Sequence, residues 1–239
     1  MPNQQPPVEY RSQWRQDRFI HENLMPHRGG TFFEAGAHDA YTISNTWFFE
    51  KALDWRGVLV EMQPQLFAKI VERRPNSQCF RCALGTQPID LMYLEAGDRS
   101  SLMRYMPHGD IEYLERHYAS KPDKPTFRVG WVAVRPVSDV LTEAGVTHID
   151  YFSLDVEGAE MDVLRSIDFS KVTIDLFTIE DNAGKWTEPR ALLEPRGYEL
   201  IGALGVDALF AHRRLMDRIA AERGTAHVAA VRSGLRRIA

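Results

Sequence analysis

Four short apolar runs in this sequence each end in a carboxylate: Phe32-Phe33-Glu34, Val58-Leu59-Val60-Glu61, Tyr151-Phe152-Ser153-Leu154-Asp155 and Phe177-Thr178-Ile179-Glu180. A buried strand that stops at an acid delivers a charge to the carboxyl edge of a sheet, where open α/β sheets bind their ligands. Gly36 follows Glu34 by two residues; a polar loop comes next, then a helical pattern holding Trp47, Phe48, Phe49 and Leu53. The stretch reads as strand, tight turn, helix. Gly36 permits a sharp turn and a close approach of ligand to backbone. The G-x-G-x-x-G spacing of dinucleotide sites is absent, because Ala37, His38 and Ala40 stand where glycines would be wanted. A carboxylate such as Glu34, without a phosphate loop, suits a cationic ligand. S-adenosylmethionine, with its ammonium and its sulfonium, fits. Glu61 lies close to the ~20 residues beyond a glycine turn at which an acid takes ribose hydroxyls. Met62 then falls against the adenine face, with Ala83 and Leu84 near the adenine edge.

The elements that position these acids follow in order. Residues 1–10 are polar and proline-rich and are expected to be loosely packed. A helical pattern from Ser12 to Met25, with Trp14, Phe19, Ile20 and Leu24 on or near one face, packs across an end of the sheet. Pro64 to Arg73 reads as a helix with proline in its first turn. Gln78 to Leu84 reads as a third strand, and Ile89 to Leu94 as an extension of the sheet. Residues 95–127 lose periodicity and carry several glycines and prolines around a short helix at Ile111 to Tyr118. Such an insertion is read as a substrate lid, with Ser100, Ser101, Arg104, Tyr105 and His108 as its polar candidates. Val129 to Val134, Val137 to Ala144, Ile149 to Asp155, Glu160 to Ile167, Val172 to Ile179 and Trp186 to Arg196 alternate strand and helix. Leu200 to Ala203 and Asp207 to His212 form a closing antiparallel pair turned at Gly205. The organisation is an extension over residues 1–30, a catalytic domain over 31–212 and a basic helical tail over 213–239. The fold class is α/β, a doubly wound and mostly parallel sheet with an antiparallel closing strand.

Composition sets limits. At 239 residues with 44% hydrophobic and 26% charged content, the chain has the makeup of a globular domain. A net charge of −4 argues against a general nucleic-acid binder. The C-x-x-C formed by Cys79 and Cys82 has no second pair to complete a zinc site, and it lies in an apolar alternating run, so both read as buried strand thiols. No signal peptide and no run long enough to cross a bilayer is present, which predicts a cytoplasmic protein. The tail over residues 213–239 sets seven arginines against two acids. Its default reading is a solvated appendage; contact with a second copy or an anionic partner is the alternative.

Several motifs resemble one family. Ser12-Gln13 with Gln16-Asp17-Arg18-Phe19, Phe33 to Asp39, Ser44-Asn45-Thr46, Gly57 to Glu61, Cys82-Ala83-Leu84, Leu154 to Glu160, and Ile179-Glu180 with Asn182 resemble the FkbM family of S-adenosylmethionine-dependent methyltransferases. The resemblance covers about Ser12 to His212. It implies a Rossmann-like class I methyltransferase fold and methyl transfer to a hydroxyl oxygen of a small molecule, secondary metabolite or sugar. It carries cofactor roles onto Glu34, Gly36, Asn45, Glu61 and Asp155, to which the local reading adds Ala37, Met62 and Ala83. His38 stands where the family usually has Asn, and Ala40 where it usually has Gly, at a position where positive φ would favour glycine.

Methyl transfer to a hydroxyl requires that the acceptor lose its proton. One device is a general base, with His38, His108 or Asp155 as candidates. The other is a divalent metal that lowers the acceptor's pKa. Asp155 with Asp181 and Asn182 resembles the ligand layout of catechol O-methyltransferases, and all-oxygen ligands suit magnesium. Two further readings stand beside this one. A catalytically silent binding module would keep the same fold. A nicotinamide-dependent oxidoreductase would also use Glu61 on ribose, but lacks the glycine-rich phosphate loop.

Overall fold

The computed structural model describes residues 9–106, 108–119, 127–180 and 186–235. The loose packing expected of the N-terminus therefore falls mostly outside the described residues. In chain order, α1 (Gln16–Asn23) precedes β1 (Thr31–Ala35), α2 (Trp47–Leu53), β2 (Arg56–Val60), α3 (Pro64–Arg73) and β3 (Gln78–Phe80). The chain then forms β4 (Ala83–Leu84), β5 (Ile89–Glu95), β6 (Ser101–Leu102), α4 (Asp110–Tyr118) and β7 (Arg128–Arg135). It returns through α5 (Val137–Ala144), β8 (His148–Leu154), α6 (Glu160–Arg165), β9 (Thr173–Glu180) and α7 (Thr187–Leu193). It ends in β10 (Tyr198–Leu204), β11 (Asp207–His212), α8 (Arg213–Arg223) and α9 (Thr225–Gly234).

The main sheet has seven strands in the order β3-β2-β1-β8-β9-β11-β10. β3, β2, β1, β8 and β9 run parallel, and β11 and β10 close the edge antiparallel. This is the doubly wound arrangement that the alternating pattern predicts. The apolar runs are continuous because both faces are covered. Along β1, Phe33 and Ala35 join Val58, Val60, Phe152, Leu154 and Phe177 on the face packed by α5, α6 and α7. Phe32 joins Leu59, Tyr151, Leu176 and Leu209 on the other face, against α1, α2 and α8. The period of two thus splits each strand between two cores. Phe32, Phe33, Phe152 and Phe177 are fully buried, and each such ring is worth roughly 1.5–3 kcal/mol over exposure.

Three expectations are corrected. Gln78 to Leu84 is not one strand: β3 stays in the main sheet, while β4 pairs with Val134 and Arg135 of β7. Ile89 to Leu94 does not extend the main sheet. It pairs antiparallel with β7 from Ile89↔Val134 to Glu95↔Arg128, and with β6, in a separate sheet of four strands ordered β4-β7-β5-β6. The long antiparallel register with β7 outcompetes β3, which offers three residues of edge. The start of the tail is also no solvated appendage, because Leu215, Met216, Ile219 and Val231 are buried in the second core. The irregular stretch between β5 and β7 carries β6, α4 and two short 3-10 turns, and Ser101 Oγ there donates to the Glu157 carbonyl at 2.7 Å. Among the described residues, no helix is long and apolar enough to cross a membrane.

Candidate functional site

Strand order reverses between β1 and β8, so the chain leaves their carboxyl ends in opposite directions and a crevice opens there. Gly36 makes the crevice. Its φ is +75°, and a Cβ at this position would stand 1.7 Å from the Asp155 carbonyl oxygen. Only glycine lets the end of β1 lie so close to the end of β8. The Gly36 and Ala37 N–H groups both donate to the Val60 carbonyl at 3.0 Å, which fixes the turn against β2. The resulting cavity encloses about 710 Å³ including its open mouth. Gly36, His38, Glu61, Met62, Ala83 and Asp155 line it, with Ile43, Gln63, Cys82, Leu84 and Glu157. Gly97, Ser100 and Leu102 from the small sheet and its turn close one side.

Glu61 is 5% exposed and is held by backbone donors. The His38 N–H donates to Oε2 at 2.9 Å and the Gln63 N–H to Oε1 at 2.8 Å. Burial pushes the carboxyl up to about 7, against the pull of those N–H groups and that of Met62. A carboxylate with one donor on each oxygen keeps lone pairs to receive further hydroxyl donors.

The second group of acids lies around the end of β8. Asp155, Glu157 and Glu180 bring one oxygen each within 4.8 Å of one another. Burial first, then the charges of Glu180, Glu157 and Asp207, hold the Asp155 carboxyl well above the usual carboxylate range, and a hydrogen bond with Glu180 adds to the rise. Asp207 sits opposite Glu180 across the β9–β11 pairing, and burial pushes it up to about 7. Gln16 Nε2 donates to Asp207 Oδ2 at 2.5 Å.

The structure brings six of the expected residues into one cavity and sets four apart. Glu34 is the principal correction. Its carboxylate accepts from Ser44 Oγ, the Asn45 N–H at 2.7 Å and Thr46 Oγ1 at 2.5 Å, and it does not line the cavity. The short Ser44-Asn45-Thr46 segment thus anchors the start of α2 on the end of β1, so Glu34 faces inward and not toward a ligand. Asn45 likewise does not line the cavity. Its Nδ2 donates to Ser153 Oγ at 2.8 Å, while its buried Oδ1 has no hydrogen-bond partner. Ala37 packs in the second core and does not line the cavity, while its N–H is held by the Val60 carbonyl. His108 is exposed in the turn before α4 and contributes nothing to the cavity lining. Asp181 and Asn182 lie outside the described residues. Glu157 and Glu180 join the site as acids that the sequence reading assigns no ligand or catalytic role. The signal was available: Glu180 ends its strand as Asp155 ends the neighbouring one, and Glu157 follows Asp155 by two residues.

Residues 34–204 match the methyltransferase FkbM domain. The chain belongs to the FkbM methyltransferase family. Methyl transfer is the activity that membership supports, and S-adenosylmethionine is the donor it implies. No curated protein matches the chain. Among solved structures, a TehB-like S-adenosylmethionine-dependent methyltransferase from Corynebacterium glutamicum is similar at 12% identity and a TM-score of 0.45, over 84% of this chain and 89% of that one. A precorrin-6y C5,15-methyltransferase from Geobacter metallireducens is similar at 11% identity and a TM-score of 0.43, over 82% and 86%. Fibrillarin from Aeropyrum pernix, crystallised with natively bound S-adenosyl-L-methionine, is similar at 14% identity and a TM-score of 0.42, over 84% and 74%.

The cavity of this FkbM methyltransferase has a donor set that fits the implied cofactor. The side-chain-free face of Gly36 admits a ligand against the backbone. Glu61 offers carboxylate lone pairs of the kind ribose hydroxyls use. Met62, Cys82, Ala83 and Leu84 supply the apolar wall beside it.

Proposed function

We propose that the protein transfers the methyl group of S-adenosylmethionine to a hydroxyl oxygen of a small-molecule or sugar acceptor. One observation carries this reading: a single cavity is lined by Glu61 at the end of β2 and by Asp155 and Glu157 beyond β8. β1 lies between them, so the two acid groups are separated by two strand spacings, roughly 10 Å. That span suits a cofactor held by its ribose at one end with its reactive centre toward the other. When bound, the cofactor supplies a methyl carbon activated by its sulfonium.

The chain's own residues do the rest. Glu61 accepts from the ribose hydroxyls, while Met62 and Ala83 pack on the base. Asp155 and Glu157 stand at the opposite end, where an acceptor entering beside the small sheet would present its hydroxyl. Asp155, held above the usual carboxylate range and hydrogen-bonded to Glu180, takes the acceptor's hydroxyl proton at a carboxylate oxygen. The upward shift makes its carboxylate a stronger base than an ordinary aspartate. Leu102 and the turn at Gly97 exclude water from that side. His38 lines the same cavity, with its Nδ1 buried and without a hydrogen-bond partner, and is the second candidate base. Base catalysis by these side chains needs no metal.

The test pairs binding with turnover. S-adenosylhomocysteine is titrated calorimetrically into the protein, and transfer from methyl-labelled S-adenosylmethionine is followed across a panel of hydroxylated acceptors. Binding together with label on an ether oxygen supports the proposal. Binding with no transfer to any acceptor favours a silent module, and label on nitrogen or carbon refutes O-methylation.

A further inference from the structure

The small sheet covers its two faces unequally. Residues directly opposite one another in an antiparallel pair share a face. Leu91 with Val132, and Tyr93 with Gly130, lie on the inward face, packed with Ala83 and Leu102. Asp90 with Ala133, Met92 with Trp131, and Leu94 with Val129 fall on the outward face. Leu114 and Tyr118 of α4 cover Leu94 there. Beyond Leu94 the outward face is bare: Trp131 is 67% exposed, Val129 58% and Met92 41%. None of these three lines the crevice at the carboxyl edge of the main sheet. From this face we propose that a second copy of the chain docks here, sheet on sheet, in a symmetric dimer.

Single apolar residues on a surface are ordinary, but a contiguous group centred on a tryptophan marks a contact surface. Trp131 and Met92 are direct cross-strand neighbours, and Val129 is the next residue of β7 on the same face. Taking a tryptophan at about 250 Å², the three expose on the order of 300 Å² of apolar surface. An interface is roughly 60% apolar, so a patch of that size implies about 500 Å² per copy and about 1,000 Å² in all. That total meets the lower bound for a specific interface and fits a weak, reversible dimer.

The charges suit a second copy. Asp90 stands at one end of the bare face and Arg128 at the other. Arg128 lies opposite Glu95 in the register, yet neither Arg128 nor Asp90 makes an ion pair among the described residues. A two-fold axis lying across the strands near the Met92–Trp131 row sets the two Trp131 rings against each other. The same axis brings Asp90 of each copy over the Arg128 end of the other. Two sheets packed in this way keep their strands nearly aligned, about 10 Å apart. Edge-to-edge pairing is the other way for sheets to join. The edge strands β4 and β6 are only two residues long, and offer too little ladder for it.

The experiment follows the full chain by sedimentation and light scattering from roughly 1 to 200 µM, which brackets a micromolar dissociation constant. The expected result is a monomer–dimer equilibrium that moves with concentration. Trp131→Glu places two carboxylates face to face at the centre and weakens the dimer at least roughly tenfold. Its melting temperature matches that of the parent monomer, because the ring is mostly exposed. Val71→Glu, at a bare position on α3, leaves the dimer intact. Asp90→Arg weakens association, and Asp90→Arg combined with Arg128→Asp restores it. The proposal is overturned by a parent that stays monomeric throughout, by a dimer that survives Trp131→Glu, or by a dimer lost in Val71→Glu. Failure of the double charge reversal to restore association overturns the antiparallel arrangement. A monomeric parent that adheres through Trp131 to vesicles of anionic phospholipid assigns the face to a membrane surface, and overturns the proposal too.

Discussion

Glu61 provides a quantitative handle on the cavity. Its carboxyl is pushed up to about 7 by burial, from an ordinary value of 4.5. Two ribose hydroxyls donate far more strongly to the ionised form, which accepts at both oxygens, than to the protonated one, which has spent one oxygen on its own proton, so affinity for S-adenosylhomocysteine should track the ionised fraction. That fraction falls about tenfold between about pH 8 and about pH 6 for a group titrating near 7, which is about 1.4 kcal/mol of binding free energy. Calorimetric titration at the two pH values should show that loss in the parent protein. Glu61→Gln should bind more weakly and with a flat profile, because the amide does not titrate. Stability moves the opposite way. The folded state holds the Glu61 proton where the unfolded chain has lost it, so this group's contribution declines as pH rises from about 4.5 to about 7. The span corresponds to roughly 3 kcal/mol at most. Without ligand, Glu61→Gln should therefore melt higher than the parent at alkaline pH, and the advantage should vanish in acid. Equal affinity at both pH values in the parent, or an unchanged slope in Glu61→Gln, would remove Glu61 from the binding site.

Four further outcomes are expected. Gly36→Ala puts a Cβ 1.7 Å from the Asp155 carbonyl at a φ of +75°; it should cost more than about 1 kcal/mol in melting experiments and abolish S-adenosylhomocysteine binding in calorimetry. Asp155→Asn should lower kcat by about 10²–10⁴-fold in steady-state assays with a responsive acceptor, and should erase the rise of rate with pH that a base of raised pKa imposes. Chelator should leave the parent rate unchanged. Arg74→Met removes a fully buried guanidinium whose Nε donates to Glu50 Oε2 at 2.7 Å, leaving that carboxylate buried with Lys51 and Ser77; denaturant unfolding should show a loss of about 3 kcal/mol, the low end for a broken buried pair.

The four strand-ending acids show how far the sequence could be read. Their spacing correctly predicted a shared sheet edge, because apolar alternation and strand order follow from burial of both faces. Direction is another matter, since a carboxylate at a strand end can turn in or out. Glu34 turned in, because Ser44, Asn45 and Thr46 return to meet it from a loop whose path depends on tertiary packing. Glu61 turned toward the cavity, and Asp155 and Glu180 turned toward each other. The small sheet was hidden for a related reason. Ile89 to Glu95 reads as a strand, but its partner β7 lies beyond the irregular stretch, and only the long register between them decides the pairing. Arg73 and Arg74 look like a surface pair at a helix end, yet one is half-exposed and the other has no exposed surface. Nothing in their local sequence separates them.

The loop after Gly36 joins the departures in sequence to the chemistry. His38 and Ala40, the two positions at which the resemblance implied other residues, both take positive φ, 51° and 53°. Non-glycine residues there carry strain of order 1 kcal/mol each, so something must hold the loop in shape. Asp39, between them, does so. It accepts the Tyr41 and Thr42 N–H groups at 3.0 and 2.8 Å and the Thr42 hydroxyl at 2.7 Å, and pairs with Arg73 at 2.7 Å. Arg73 and Arg74 also donate to the carbonyls of Asp39 and Ala40. These bonds from Thr42, Arg73 and Tyr41 outweigh burial and keep Asp39 ionised far below the usual range. The strain is thus offset by a charge-assisted network that needs no ligand. Its product is a His38 N–H already aimed at Glu61, so the carboxylate is oriented in advance, and under the proposed function little ordering entropy would remain to be lost when a ribose binds. A glycine at position 40 would relieve the strain but would leave the unfolded loop more freedom to lose. The side-chain network, not the glycine content, is what sets this turn.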